Sequence, residues 1–249
     1  MNIIKELKNN NFILIKNNKQ NNIQLAKKYF LDFINNIGVP IEHTIGKNDY
    51  ILDIKAKKSF SDIITYSEHN EEAKYHTDAQ YNNIPENFIA LYCFKKARCG
   101  GGKSRIIKLQ DIVTTLKKNN YEITLLKENI FPFSTPSIYQ NNNKLIQYFN
   151  ILSKDETFIR YRYDTIMHGI EVEKKNNIKK SIEEFDNLLE NVKYKELILE
   201  EGDLLILNNH NMLHYRTQFN DLERHLFRIR FNLKPNKTER LWRNPIPNI

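Results

Sequence analysis

A histidine and an aspartate stand two positions apart in residues 74–80, which read Lys-Tyr-His-Thr-Asp-Ala-Gln. On a β-strand, residues i and i+2 project from the same face, so the side chains of His76 and Asp78 can reach one point. An imidazole and a carboxylate are two of the three ligands in the 2-His-1-carboxylate triad, which holds non-haem Fe(II) and leaves coordination positions open. Alone, His76 would more often be a surface or capping residue. The pair therefore predicts an iron site only if a second histidine and an anion-binding arginine follow it.

The second histidine is His214, and three arginines follow it at positions 224, 228 and 230. Arg224, Arg228 and Arg230 share parity on the last predicted strand, so all three can point to one face, which in a closed barrel is the interior. Buried arginines need anionic partners, and the guanidinium fork matches a carboxylate bidentately. The spacing therefore predicts a metal site beside a dicarboxylate co-substrate, an acidic substrate, or both.

Other polar residues compete for these roles. His210 lies four residues before His214 and would share its face on an extended segment. The distance to the arginines favours His214 as the ligand, and we expect His210 at the rim of the site. We expect His69 and His168 at ordinary polar surface or pocket positions. At least one of Arg160 and Arg162 is expected on the polar face of a strand.

Composition narrows the class of protein. With 249 residues and 40% hydrophobic content, the chain is long enough for one large domain over 1–249. The formal charge of +8 comes from lysines scattered through Asn- and Ile-rich sequence, which disfavours a basic stripe for nucleic acid. No apolar run reaches the roughly 18–20 residues of a membrane span, and the start lacks the apolar region of a signal peptide. Two cysteines are too few for a disulfide scaffold, so we expect a cytoplasmic protein with reduced thiols, of unknown oligomeric state.

Hydrophobic patterning predicts mainly β structure with flanking helices. The predicted strands include 12–15, 88–94, 104–108, 157–163, 204–207 and 224–233, and the predicted helices are 23–37, 110–118 and 182–192. Short strands with a few helices outside them favour a barrel or sandwich of one domain. Residues 119–150 are polar, Asn-rich and long for a connection, which predicts an insertion that forms a lid.

One motif allows a different function. Residues 97–104, Ala-Arg-Cys-Gly-Gly-Gly-Lys-Ser, satisfy a relaxed P-loop pattern. A phosphate-binding loop needs a helix that begins at its Lys-Ser pair, whereas the residues after Ser104 are β-branched and predict a strand. The glycines are better explained as a tight turn between two strands.

Taken together, these motifs resemble the taurine dioxygenase-like (TauD/TfdA, clavaminate synthase-like) family of Fe(II)/2-oxoglutarate-dependent oxygenases. The matching features occur in the family's order: Tyr75-His76-Thr77-Asp78, Gly101-Gly102-Lys103-Ser104, Gly202-Asp203 ahead of Asn209, His214-Tyr215-Arg216, and the pair Arg224 and Arg228. The resemblance implies a double-stranded β-helix, or jelly-roll, core. One departure is Tyr215, which stands where the family commonly has a glycine.

The resemblance also implies a role for each matching residue. His76, Asp78 and His214 would bind Fe(II). Ser104 stands where the family usually has a threonine that bonds the distal carboxylate of 2-oxoglutarate, and Arg224 would form a salt bridge to the same group. Arg228 stands at a position that often contacts the acidic group of the primary substrate. The substrate pocket is expected to include some of four further residues, each equally well explained by packing: Tyr75, Gln80, Tyr92 and Arg216.

The implied reaction consumes 2-oxoglutarate and O2, releases succinate and CO2, and oxidises a C–H bond of the substrate. Asp78 favours hydroxylation, because related halogenases lack this carboxylate. Arg228 favours a small carboxylate-bearing substrate, such as an amino acid or an amino-acid-derived metabolite. Two alternatives keep the chemistry: action on a nucleic-acid base or protein side chain, and desaturation or cyclisation of a biosynthetic intermediate. A third is a jelly-roll binding protein without catalysis, which would leave the five spaced residues unexplained.

Overall fold

The computed structural model describes residues 3–43, 49–57, 65–136 and 146–234. Its strands are β1 (Phe12–Ile15), β2 (Gly38–Ile41), β3 (Leu52–Ile54), β4 (Ala73–His76), β5 (Phe88–Lys95), β6 (Ser104–Lys108), β7 (Phe131–Ser134), β8 (Ile146–Phe149), β9 (Lys195–Leu197), β10 (Leu204–Asn208), β11 (Met212–Arg216) and β12 (His225–Leu233). Its helices are α1 (Ile3–Asn10), α2 (Ile23–Ile37), α3 (Leu109–Lys118), α4 (Thr124–Glu128), α5 (Tyr163–Glu173) and α6 (Lys179–Leu189), with a short 3-10 helix at Asn176–Ile178.

Two antiparallel sheets form the body of the protein. The larger has the strand order β1-β10-β5-β12-β2, with β3 also paired to β12, and the smaller has the order β4-β11-β6-β9. The strands β5 and β10 are apolar along both faces, which is typical of strands buried on both sides. Side chains from both sheets meet in an inner core, which includes Leu91, Leu205 and Leu226 from the larger sheet and Ile106 and Met212 from the smaller.

Helices cover the outer face of each sheet. Against the larger sheet, α2 buries Ala26, Phe30 and Ile34, which recur at helical spacing, and its first turn is capped by the Asn22 side chain. Against the smaller sheet lie α3, α5 and α6. This architecture of two facing antiparallel sheets with helices outside is the predicted mainly β fold with flanking helices.

Several elements agree with the sequence prediction and one does not. The edge strand 12–15, the helix 23–37 and the strand 104–108 are confirmed. Because Ser104 begins a strand, the P-loop alternative fails. The predicted strand at 157–163 is wrong: only isolated bridges form, at Ile159 and Arg162, and helix α5 begins at Tyr163. Four successive residues of this segment, 159–162, are buried, which the alternating pattern did not reveal.

The predicted insertion at 119–150 contributes to the core. Helix α4 and the hairpin of β7 and β8 lie in it, and Phe131 and Phe133 are fully buried against the smaller sheet's helices. Helix α5 approaches β7 at Gly169, where a Cβ would lie 2.2 Å from the carbonyl oxygen of Pro132. Residues 137–145 lie outside the described residues, and the lid predicted for 119–150 stays a prediction, as does a single domain over 1–249.

Two expectations from composition concern membranes and cysteines. Within the described ranges, no helix combines the length and apolar character needed to cross a bilayer. Both cysteines are free thiols: Cys93 is buried and Cys99 is exposed.

Candidate active site

The predicted metal ligands come together at one edge of the smaller sheet. Strands β4 and β11 pair so that His76 and His214 are direct partners, and their ring centroids lie 4.0 Å apart. Asp78 follows just after the end of β4. One ligand atom from each of His76, Asp78 and His214 lies within 4.8 Å of the other two. In the part of the chain that the structure describes, this is the one group of three or more such side chains close enough to hold a metal ion.

The backbone orients the ring of His76. Its Nδ1 lies 2.7 Å from the carbonyl oxygen of Lys74, which can only accept a hydrogen bond. Nδ1 therefore carries the proton, and the lone pair of Nε2 is available to a metal, as in most metal-ligating histidines. The ring of Tyr66 contacts the His76 ring edge-on, with centroids 4.7 Å apart.

The protonation states also fit a metal. Burial, followed by the nearby His214, lowers the pKa of His76 well below its usual value, and burial lowers that of His214 to about 4. Burial raises the pKa of Asp78, but the Arg228 guanidinium and the two imidazoles outweigh this and hold it well below its usual value. At neutral pH the site thus offers two neutral imidazoles and one carboxylate, the donor set that suits non-haem Fe(II).

Asp78 is positioned by a residue from a distant part of the sequence. Its backbone N–H donates to Oδ1 of Asn209 at 2.8 Å, and Nδ2 of Asn209 donates back to the Asp78 carbonyl at 3.1 Å and to the Glu86 carbonyl at 3.0 Å. Next to Asp78, the N–H of Thr77 donates to the carbonyl of Tyr161 at 2.8 Å. The carboxylate is therefore fixed by buried hydrogen bonds in a loop, not by the strand that the i, i+2 argument assumed.

A cleft opens beside the three predicted metal ligands. Its described lining is polar: Thr65, Tyr66, Ser67, His76, Asp78, Ala79, Gln80, Tyr81, Arg162, Arg228 and Arg230. Each arginine contacts a carboxylate. Nη1 of Arg228 lies 2.9 Å from each oxygen of Asp78, Nη1 of Arg230 lies 3.1 Å from Glu86, and Arg162 bonds Asp164 through two nitrogens at 2.7 Å.

Gln80 presents an oriented acceptor to this cleft. Its Nε2 lies 3.2 Å from Oγ1 of Thr165, whose hydroxyl donates to the carbonyl of Arg162 at 2.9 Å. Because the Thr165 hydrogen is used on that carbonyl, its oxygen must accept from the Gln80 amide nitrogen. The amide oxygen of Gln80 has no hydrogen-bond partner among the described residues, so it can accept an N–H or O–H from a ligand in the cleft.

Arg224 borders a different pocket, together with Gly102, Lys103 and Cys93. The Arg224 side chain is buried against the ring of Phe219, 5.0 Å from its centroid, and its Nη1 has no hydrogen-bond partner within the described ranges. Burial lowers the Arg224 pKa to about 10, which leaves it cationic at neutral pH. A buried guanidinium without an anion is a site where an anion is expected. Ser104 is also buried and follows the Gly102–Lys103 turn directly.

Four predicted residues lie away from the cleft. Tyr75 packs on the outer face of the smaller sheet against Tyr215, with ring centroids 5.2 Å apart. Tyr92 lies in the core under α2, and its hydroxyl donates to the Asn18 carbonyl. Arg216 donates to the carbonyls of three residues before β4: Tyr66, His69 and Glu71. His210 is buried, with Nε2 2.9 Å from the Pro85 carbonyl, so its expected place at the rim is wrong.

Other residues of the site were missed by the sequence interpretation. Asn209 was recognised only as part of a family motif, and Tyr66 and Thr165 carried no signal. The sequence places at least one of Arg160 and Arg162 on the polar face of a strand, yet both are buried. Arg162 stacks on Tyr66 at 3.8 Å, and its backbone forms an isolated β-bridge with His76. The available sign in the sequence was that Arg160 and Arg162 lie among aromatic and aliphatic residues, which indicates internal partners for both.

A family model, the taurine catabolism dioxygenase TauD, TfdA family, matches residues 4–230. The chain belongs to this family. Its members are Fe(II)- and 2-oxoglutarate-dependent oxygenases, so the predicted family, enzyme class and cofactors are confirmed. A search of curated proteins found no match to the sequence.

Solved structures share the fold at low sequence identity. An asparagine oxygenase in complex with Fe(II), 2S,3S-3-hydroxyasparagine and succinate is 14% identical, with a TM-score of 0.71 over 93% of this chain and 77% of that one. The non-haem iron oxygenase OrfP, in complex with Fe and alpha-ketoglutaric acid, is 11% identical, with a TM-score of 0.64 over 92% and 78%. PvcB from Pseudomonas aeruginosa is 16% identical, with a TM-score of 0.59 over 92% and 78%. The jelly-roll prediction is thereby confirmed.

We expect Asn209→Ala to weaken metal binding about tenfold, because residues that hold a ligand in place typically change metal affinity by about 10–100-fold. Anaerobic titration with Mn(II), a redox-stable probe, measures the affinity. Asn211→Ala is the matched control, since Asn211 lies two residues away and bonds the Thr157 carbonyl instead. Equal affinity of the Asn209→Ala variant and the wild type would show that Asn209 does not position Asp78.

Proposed function

Within the chemistry of this family, we propose that the protein hydroxylates an unactivated C–H bond of a small, carboxylate-bearing substrate, such as an amino acid or its derivative. The observation that carries the proposal is the group of His76, Asp78 and His214 at the wall of a cleft that also contains Arg228. These three residues would hold the iron. When bound, iron and 2-oxoglutarate together supply the oxidation, with succinate and CO2 as co-products. A cytoplasmic location belongs to the same proposal.

Arg224 and Ser104 would bind the distal carboxylate of 2-oxoglutarate. Support comes from the buried Nη1 of Arg224, which has no partner in the described part of the chain, and from the hydroxyl that begins β6. A carboxylate would supply the negative charge that the Arg224 environment lacks. Nearby, the ring of Phe219 restricts the side chain to one side, so the guanidinium would be held before the ligand arrives.

Arg228 and Gln80 would orient the primary substrate. Arg228 contributes a guanidinium that can bind a carboxylate bidentately, and Gln80 contributes the fixed acceptor described above. A molecule with a carboxylate and an N–H donor satisfies both groups at once. Amino acids have this combination, and the asparagine oxygenase and OrfP structures contain hydroxyasparagine and hydroxy-L-Arg respectively.

Removal of a metal ligand should abolish turnover. We expect His76→Ala and Asp78→Ala to lose Fe(II)- and 2-oxoglutarate-dependent succinate formation, because each leaves two protein ligands. His168→Ala, on helix α5 and away from the cleft lining, is the control and should retain the wild-type rate. If the wild-type protein binds neither Fe(II) nor 2-oxoglutarate in anaerobic spectroscopy, the enzyme proposal is wrong. If it binds both but forms no succinate with any substrate, the non-catalytic alternative replaces it.

Arg224→Met should weaken 2-oxoglutarate binding by at least about 30-fold, because loss of one partner from a buried charge pair commonly costs about 2–5 kcal/mol. Calorimetric titration of the Mn(II)-loaded protein measures this affinity. Arg224→Lys keeps the positive charge but loses the planar guanidinium, so its affinity for 2-oxoglutarate should lie between those of Arg224→Met and the wild type. An unchanged affinity in Arg224→Met would remove this residue from the co-substrate site.

The substrate's carboxylate is tested with matched pairs of compounds. Succinate formation is measured with L-asparagine and L-arginine and with their α-carboxamides, which keep every group except the carboxylate. We expect an active acid to lose at least tenfold in rate as its amide, because the amide cannot pair with Arg228. An amide that is turned over as fast as its acid would contradict the role of Arg228, and a substrate without any anionic group would contradict the substrate class.

A further inference from the structure

The guanidinium of Arg228 forms an ion pair with Asp78, the carboxylate of the predicted metal site. Its Nη1 donates a hydrogen bond to Oδ1 of Asp78 at 2.9 Å and lies 2.9 Å from Oδ2, which accepts no hydrogen bond from the described residues. The two side chains are only 14% and 7% exposed. Such a shielded pair is held more firmly than one on the surface, where water and salt screen the charges.

A divalent metal ion at the triad would compete with this contact. The ion needs an oxygen of Asp78 as a ligand at about 2.0–2.2 Å, typical of metal–carboxylate bonds, and it would then share this carboxylate with Arg228, whose hydrogen bond goes to Oδ1. The guanidinium also repels a divalent cation bound to the same carboxylate, and the low exposure of the pair leaves this repulsion poorly screened. Arg228 thus opposes metal binding mainly through its charge.

The other arginines of the cleft do not oppose the metal in this way. Arg162 pairs with Asp164, and Arg230 pairs with Glu86. Neither carboxylate belongs to the group of three metal-ligating side chains. Arg228 is therefore the cleft arginine whose described ion pair is made with a metal ligand.

We propose that Arg228 couples metal loading to substrate binding. Arg228 pairs with Asp78 in the structure; a divalent ion on the same carboxylate weakens this pair, and the donors of Arg228 turn to the substrate carboxylate in the cleft. Linkage makes the coupling reciprocal: an anion that draws Arg228 away from Asp78 strengthens metal binding by the same factor as the metal strengthens anion binding. This inference rests on the proposed function, because it assumes that His76, Asp78 and His214 bind the metal.

The test measures Mn(II) affinity without 2-oxoglutarate, under anaerobic conditions at pH 8. Two neutral variants, Arg228→Met and Arg228→Gln, should bind Mn(II) at least about fivefold more tightly than the wild type, at the low end of typical coupling between sites. Arg228→Lys retains the charge and should stay within about twofold. Arg224→Met is the matched control: it removes the same charge from a site four residues earlier, roughly 13 Å along an extended strand, and should also stay within about twofold.

The outcomes separate this inference from the proposed function. If the wild type binds no Mn(II), the metal site itself is wrong. If the wild type binds Mn(II) and neither neutral variant binds it more tightly, Arg228 does not oppose the metal. If Arg224→Met tightens binding equally, the effect is one of total charge and the specific role of Arg228 is overturned. Thermal melting of each variant establishes that it is folded, and Arg228→Gln, which can still donate a hydrogen bond to Asp78, serves if Arg228→Met does not fold.

Discussion

The register between β4 and β11 is the constraint on which the rest of the site depends. It makes His76 and His214 direct partners on the inner face of the smaller sheet. A slip of one residue would turn one imidazole to the opposite face, because strand side chains alternate. On that opposite face Tyr75 packs against Tyr215. Tyr215, which departs from the family's common glycine, thus pairs with a second aromatic residue whose burial favours the register that the two histidines need.

The buried region around the candidate site contains many ionisable groups, and it can do so because several of its arginines are paired with carboxylates. An isolated buried charge is costly, whereas a carboxylate within hydrogen-bond distance of a guanidinium is compensated. Arg162, Arg228 and Arg230 each have a carboxylate partner, while Arg224 has an Nη1 without a hydrogen-bond partner in the described part of the chain. This difference separates arginines whose charge is already paired with a carboxylate of the protein from one whose charge a bound anion would compensate.

Sequence alone predicted the site where the chemistry requires particular residue types. A histidine, an aspartate and a second histidine, in order with two arginines, predicted three side chains that the structure does bring together. It could not predict the partners of those residues, because hydrogen bonds such as that from Asp78 to Asn209 join positions 131 residues apart. The position of Tyr75 was predictable: neighbouring residues on a strand face opposite sides, so Tyr75 must face away from His76. The strand predicted at 157–163 failed because tertiary burial of Arg160 and Arg162 overrode a pattern that looked half-exposed.

The placement of Asp78 shows how a correct prediction can have a different physical basis. The i, i+2 argument assumed a strand through both residues, but β4 ends at His76 and Ala79 has a φ of 52°, outside the β region. Buried polar contacts take over where the strand stops: Asn209 holds Asp78 on both sides of its backbone, and Arg160 donates to the carbonyls of Gln80, Asn82 and Asn83. A loop fixed in this way can direct a carboxylate toward two imidazoles while the next residues turn away to form the wall of the cleft. The geometry of the metal group is therefore set as much by side chains far along the sequence as by the strand that contains its first ligand.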